Sequence, residues 1–245
     1  MVVRSLIAMK NLVRLFALVL ACSTSLLSQN PQLRTRNGGR FPTVVFTSVL
    51  WNANPPYYSI AIDSTGASTY QSAPNSTDST GVPYTIAFQA NDSTRRTTFN
   101  VIQELDFLRG DFAVSQGSPE TISVHTLAYH DLTFNNQITY SQTTDSDIQE
   151  LTSIFEEVST TLEFGRRLNY FHQHDKNALD GELAAMQKDA DRHTLRELQA
   201  VSPVLHSIAS DSNVASHARQ EAEALLELLR RNPAGGGPTL SPRAH

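Results

Sequence analysis

The dominant hydrophobic period of this chain changes near residue 144, and that change decides which folds are open to it. Before it, apolar side chains recur every second residue, as on a strand. After it they recur every three or four, as on a helix with one buried stripe. Thr43–Trp51 is apolar on both faces, as a central buried strand would be. Tyr58, Ile60 and Ile62 alternate with Ser59, Ala61 and Asp63. Asp63-Ser-Thr-Gly66 then makes a turn in which Gly66 can take the positive φ that short hairpin connections need. Tyr84, Ile86 and Phe88 share one face of a later run. Ile122, Val124, Thr126 and Ala128 oppose Leu127 and Tyr129, and a last run carries Phe134, Ile138 and Tyr140. His130-Asp131 and Asn135-Asn136 are both good turn pairs, so the connection before the last run is open between them. One helix interrupts the strands. Asn91, Asp92 or Ser93 can cap it, its stripe is Phe99, Ile102, Leu105 and Leu108, and Gly110 is placed to stop it. Residues 41–144 are therefore expected to form an α+β domain: a mostly antiparallel sheet of about six strands with one inserted helix over a face.

Residues 145–231 are expected to form an all-α arm or bundle. Ser146 and Gln149 have capping-box spacing behind Asp145. Ile148, Leu151, Ile154, Phe155, Val158 and Leu162 face one way, and Gly165 breaks or thins the helix. Leu168, Phe171, Leu179, Leu183, Met186 and Ala190 continue as a seam, with the Asp175 carboxylate on the same face. Ser202-Pro203 starts a short helix, and Val214, Ala218, Ala222, Leu225 and Leu229 line a final one. The seam is too apolar to stand in water. Its expected cover is the first helix plus the final hairpin, in a small antiparallel bundle; a homodimer through the arm is the alternative. The final hairpin has the look of one HEAT-type repeat, but a solenoid needs about three.

The ends of the chain carry targeting information. Arg4, Lys10 and Arg14 precede an apolar core over 15–21, and no acidic residue occurs before Asp63. Residues 1–28 are expected to be a signal peptide cleaved after Ser28, which sends the protein to the periplasm or outside the cell. Val19-Leu-Ala-Cys22 has the form of a lipoprotein cleavage box, so Cys22 is the candidate lipid attachment point if the protein is instead anchored to the envelope. Residues 29–40, with Arg34, Arg36 and Arg40, read as a flexible linker, and 232–245 as a disordered tail. The chain carries a net charge of −5. Without residues 1–28 it would carry 16 basic against 24 acidic residues, a balance that excludes a general nucleic-acid binder.

The search for chemistry is mostly negative. Phe171-His-Gln-His-Asp175 holds two imidazoles, but positions two apart lie about 200° apart around a helix and cannot grip one ion. These residues are expected to be exposed, with Asp175 paired to a cation. Asp189, His193 and Glu197 have the spacing of an exposed ion-pair stripe. His125 and His130 fall on or beside strands, with no nucleophile linked to either. Glu156-Glu157 read as solvated charge. Nucleophile elbows and phosphate-cradling glycine loops are absent from the sequence, and its single cysteine lies in the signal segment. No catalytic residue, cofactor or metal ligand is therefore assigned.

A resemblance rests on Tyr57-Tyr-Ser-Ile-Ala-Ile-Asp-Ser-Thr-Gly-Ala-Ser-Thr-Tyr70, on Thr126-Leu-Ala-Tyr-His-Asp131 and on Leu151–Leu168 with its closing Glu163-Phe-Gly-Arg-Arg-Leu168. Over residues 41–230 the chain resembles families of uncharacterised exported bacterial proteins with a small β-rich domain followed by a helical region. The resemblance implies fold and export and brings no activity or site residue. The functional expectation is a non-enzymatic, envelope-associated interaction or binding module, with an unknown protein partner or self-association through the arm. The alternative is an exported hydrolase with a site in loops of the β-rich domain.

Overall fold

A computed structural model describes residues 41–51, 53–73, 83–115 and 123–231. The expected signal peptide (1–28, with Cys22), the expected linker (29–40) and the expected tail (232–245) lie outside these residues.

The strands are β1 (Thr43–Leu50), β2 (Tyr57–Asp63), β3 (Ala67–Ser72), β4 (Tyr84–Gln89), β5 (Val114–Ser115), β6 (Ser123–His130), β7 (Asn135–Tyr140) and β8 (Gln142–Thr143). Six of them form one antiparallel sheet, as the alternation predicts; their order is β4-β3-β2-β1-β6-β7, and β5 pairs with β8 beside it. The turn that the sequence left open falls at 131–134. There Asp131 Oδ1 accepts the amides of Thr133 and Phe134, and His130 pairs with Asn135. Gly66 has φ +88°, and Asp63 Oδ1 accepts the amides of Thr65 and Ala67 around it.

One sheet face is the core face. It carries Val44, Phe46, Tyr58, Ile60, Ile62, Tyr70, Leu127 and Tyr129, all buried. The other face, mostly Thr, Ser, Ala and Val with Tyr57, Asp63 and Gln71, is only partly covered, so β1 is central without being sealed on both sides. The inserted helix α1 (Asp92–Glu104) is capped by Asn91, whose Oδ1 accepts the Thr94 amide. It ends at Leu105, well before Gly110. The stop is a left-handed turn, Asp106, Phe107 and Leu108 with φ of 47°, 55° and 62°. Stacking of Phe107 on Phe134 and the bond from Asn136 Nδ2 to the Phe107 carbonyl hold that turn.

Helix α2 (Ser146–His174) is a single helix of 29 residues. Asp145 caps it, accepting the Asp147 and Ile148 amides; Gln149 reaches back to the Thr143 carbonyl instead of closing a capping box. Gly165 does not break it. A Cβ there would lie 2.5 Å from Val201 Cγ1, so glycine is what lets the segment carrying Val201 approach. The amino-terminal half of α2 packs on the sheet, with Phe155 stacked on Phe46 at 5.0 Å. Tyr70 in β3 donates to Glu163 Oε1 at 2.7 Å, and Arg166 donates to the other oxygen of the same buried carboxylate.

The helix breaks at Asp175, so the seam does not continue on one rod. It turns back into α3 (Leu179–Asp191), then α4 (Ser202–Ser210) and α5 (Ser216–Arg231). Leu168, Leu179, Leu183, Met186, Leu205, Ile208, Val214, Ala218, Ala222 and Leu225 are all buried, and the core is continuous from sheet to helices. The expected intramolecular cover is thus present. One expectation fails here. The stripe Asp189–His193–Glu197 does not form, because α3 ends at Asp191 and the chain crosses α2. Arg196 pairs with Glu157 and its amide bonds Thr161 Oγ1, and Glu197, at φ +62°, is fully buried. Its carboxylate accepts the Asn91 amide at 2.9 Å, at the start of α1.

Candidate functional site

Strand parity turns His125 inward, on the face of Leu127 and Tyr129, and the antiparallel register sets Tyr140 directly across from it. Both side chains are buried. Beside them opens a cleft of about 620 Å³. One wall is the small β5–β8 ribbon, including Thr143 and Thr144. The other is the first turns of α2, where Gln149, Thr152, Ser153 and Glu156 share a face at helical spacing.

His125 is held as a plate. Its ring stacks on Phe46 at 5.5 Å and meets Tyr140 at 5.5 Å on its other contact, so it cannot turn away from the cleft. It is 5 % exposed, and its Nδ1 has no hydrogen-bond partner among the described residues. Burial lowers its pKa, so the imidazole is neutral at neutral pH. The Tyr140 hydroxyl is already engaged. Thr152 Oγ1 donates to the Ile148 carbonyl, which leaves Tyr140 to donate to Thr152 at 2.5 Å. Burial above all pushes the phenol up to about 12, so it does not ionise at neutral pH. Glu156 reaches solvent at the rim. Loss of hydration against the walls, then the Glu157 charge, raises its pKa, an effect tempered by the water that reaches it.

Those groups can hydrogen-bond a guest. Among the described residues no serine or threonine hydroxyl bonds His125 Nδ1, and Glu156 is the one carboxylate in the lining.

The other residues weighed from sequence are dispersed. His130 Nδ1 bonds Asn135 Oδ1 at 2.6 Å at the hairpin end. His172 does not join His174: its Nε2 lies 2.9 Å from Asp211, which also takes Lys176 at 2.5 Å. Lys176 first, then the Asn213 amide and His172, hold the Asp211 carboxyl far below the usual range. His174 packs on Tyr170 at 4.8 Å, and Asp175 ends α2. Of Glu156-Glu157, the first lines the cleft and the second is tied to Arg196. Tyr140 and Glu156 were not joined to His125 in the sequence reading. The parity of β6 marks His125 as inward, but only the fold brings α2 beside it. No protein-family model matches this chain, and no curated protein matches it either.

Proposed function

We propose that this protein is an exported, non-enzymatic binding module of the uncharacterised bacterial type it resembles, and that it holds a small hydrogen-bonding ligand in the His125 cleft. The signal-like pattern of residues 1–28 supports export. The observation that carries the binding reading is the cleft itself, where the neutral His125 imidazole, fixed by two rings, meets the polar side chains of Gln149, Thr152, Ser153 and Glu156. A concave site where a few polar groups converge is where a small hydrogen-bonding ligand is held. Glu156 in the lining disfavours anions, so the ligand is neutral or cationic.

The test uses the full chain and three probes at millimolar concentration: glucose, ethanolamine and acetate. Glucose or ethanolamine should move the His125 ring resonances and raise Tm, acetate should not, and His125→Phe should abolish the response while the protein stays folded. Silence from both, or an unchanged response in the variant, would refute the site. Ester hydrolysis lost in His125→Phe would replace this reading by the hydrolase.

A further inference from the structure

The cleft is one place where polar groups converge; a second lies between α3 and α5. Asp180 stands in the first turn of α3, and His217 and Glu221 stand one turn apart on one face of α5. One ligand atom from each falls within 4.8 Å of the others. His217 Nδ1 is 3.8 Å from Asp180 Oδ1 and 3.7 Å from Glu221 Oε2, too long for hydrogen bonds. Both carboxylate oxygens are shut off from water and have no hydrogen-bond partner among the described residues. Two desolvated oxygens of like charge are thus turned toward one point, an arrangement that calls for a positive charge between them.

We propose that Asp180, His217 and Glu221 bind a divalent cation of the zinc type, which clips α3 to α5. The ligand set decides the class. One imidazole and two carboxylates with bonds of about 2.0–2.2 Å suit zinc, and tetrahedral geometry then needs ligand atoms about 3.4 Å apart. The two spacings from His217 exceed that by a few tenths of an ångström, and the two carboxylate oxygens lie within 4.8 Å of each other. His217 is 68 % exposed and the Asp180 side chain 49 %, so both can close that gap, and the exposed side leaves room for water as the fourth ligand. The competing arrangement is an imidazolium bridging two carboxylates with no metal. A divalent ion is matched by two carboxylate charges. The inference is independent of the His125 cleft.

The experiment is a Zn²⁺ titration of the full chain after chelator treatment, followed by calorimetry and thermal melts. One ion per chain should bind, and an ion concentration a hundredfold above Kd should raise Tm by roughly 5–10 °C. His217→Ala and Glu221→Gln should each weaken binding by tenfold or more. The control is His172→Ala, which should leave it intact. A bridging imidazolium alone predicts that His217→Ala lowers Tm and that Zn²⁺ leaves the wild type unchanged; that result overturns the proposal. So does binding that His172→Ala abolishes and His217→Ala does not. Should His217→Ala fold poorly, Asp180→Asn serves in its place.

Discussion

Glu197 shows how far a single side chain can depart from its local pattern. Its spacing from His193 and Asp189 reads as an exposed helical stripe, and that reading assumes the helix continues. The helix stops, and the left-handed Glu197 is carried across α2 to the start of α1, 106 residues away. Nothing local in the sequence encodes that meeting. The burial has a consequence for pH. Loss of hydration raises the Glu197 pKa above its ordinary value near 4.5, with the Thr94 hydroxyl and the Asn91 amide opposing. The folded state therefore keeps the proton after the unfolded chain has released it. That contribution is full below about pH 4.5 and is lost as pH rises through the folded value. Glu197→Gln keeps an acceptor for the Asn91 amide and has no charge to bury. Urea melts should show its stability gaining on the wild type as pH rises from 4 to 7; a gap independent of pH would show that the Glu197 charge is not buried at all. His125 differs in legibility, since strand parity puts it on one face with Leu127 and Tyr129, while the burial of that face and the α2 wall of its cleft come from folding.

At the scale of elements, the strands and the buried stripes were readable because each rests on a period that neighbouring residues repeat. The breaks were not. Asp175 ends α2, and a left-handed turn ends α1 ahead of Gly110, both through contacts made elsewhere in the fold. Gly165 is the clearest case. In isolation it weakens a helix by about 1 kcal/mol relative to alanine, so Gly165→Ala should stabilise α2. In the fold the new methyl would strike Val201, a short, stiff side chain, and overpacking costs about 1–3 kcal/mol. The expected net effect is a loss of about 0–2 kcal/mol. Combining it with Val201→Ala should recover part of that loss, read as a positive coupling in a double-mutant cycle. Strictly additive single effects would show that the two do not touch.

For the whole molecule, the continuity of the core from sheet to helices matters more than the change of period at residue 144. The sheet face is covered by α2, and α2 is covered in turn by the carboxy-terminal helices. Ending the chain after Asp191 strips the cover from Leu168, Leu183 and Met186. Each such side chain contributes roughly 1.5–3 kcal/mol when buried. The truncated protein should aggregate or melt at far lower temperature, by light scattering and circular dichroism. A monomeric species with an unchanged melting curve would mean that α4 and α5 cover nothing essential. The sheet itself carries a further consequence, which lies in time. Strands β1 to β4 pair with their sequence neighbours, as β6 does with β7, but the seam joining the halves sets Thr43 against His130. During synthesis from the amino terminus, β1 is made first among the strands and must wait for β6 with one edge unpaired. A waiting edge is a template for other chains. The interval between making residue 43 and residue 130 is therefore when this protein is most exposed to pairing with the wrong strand.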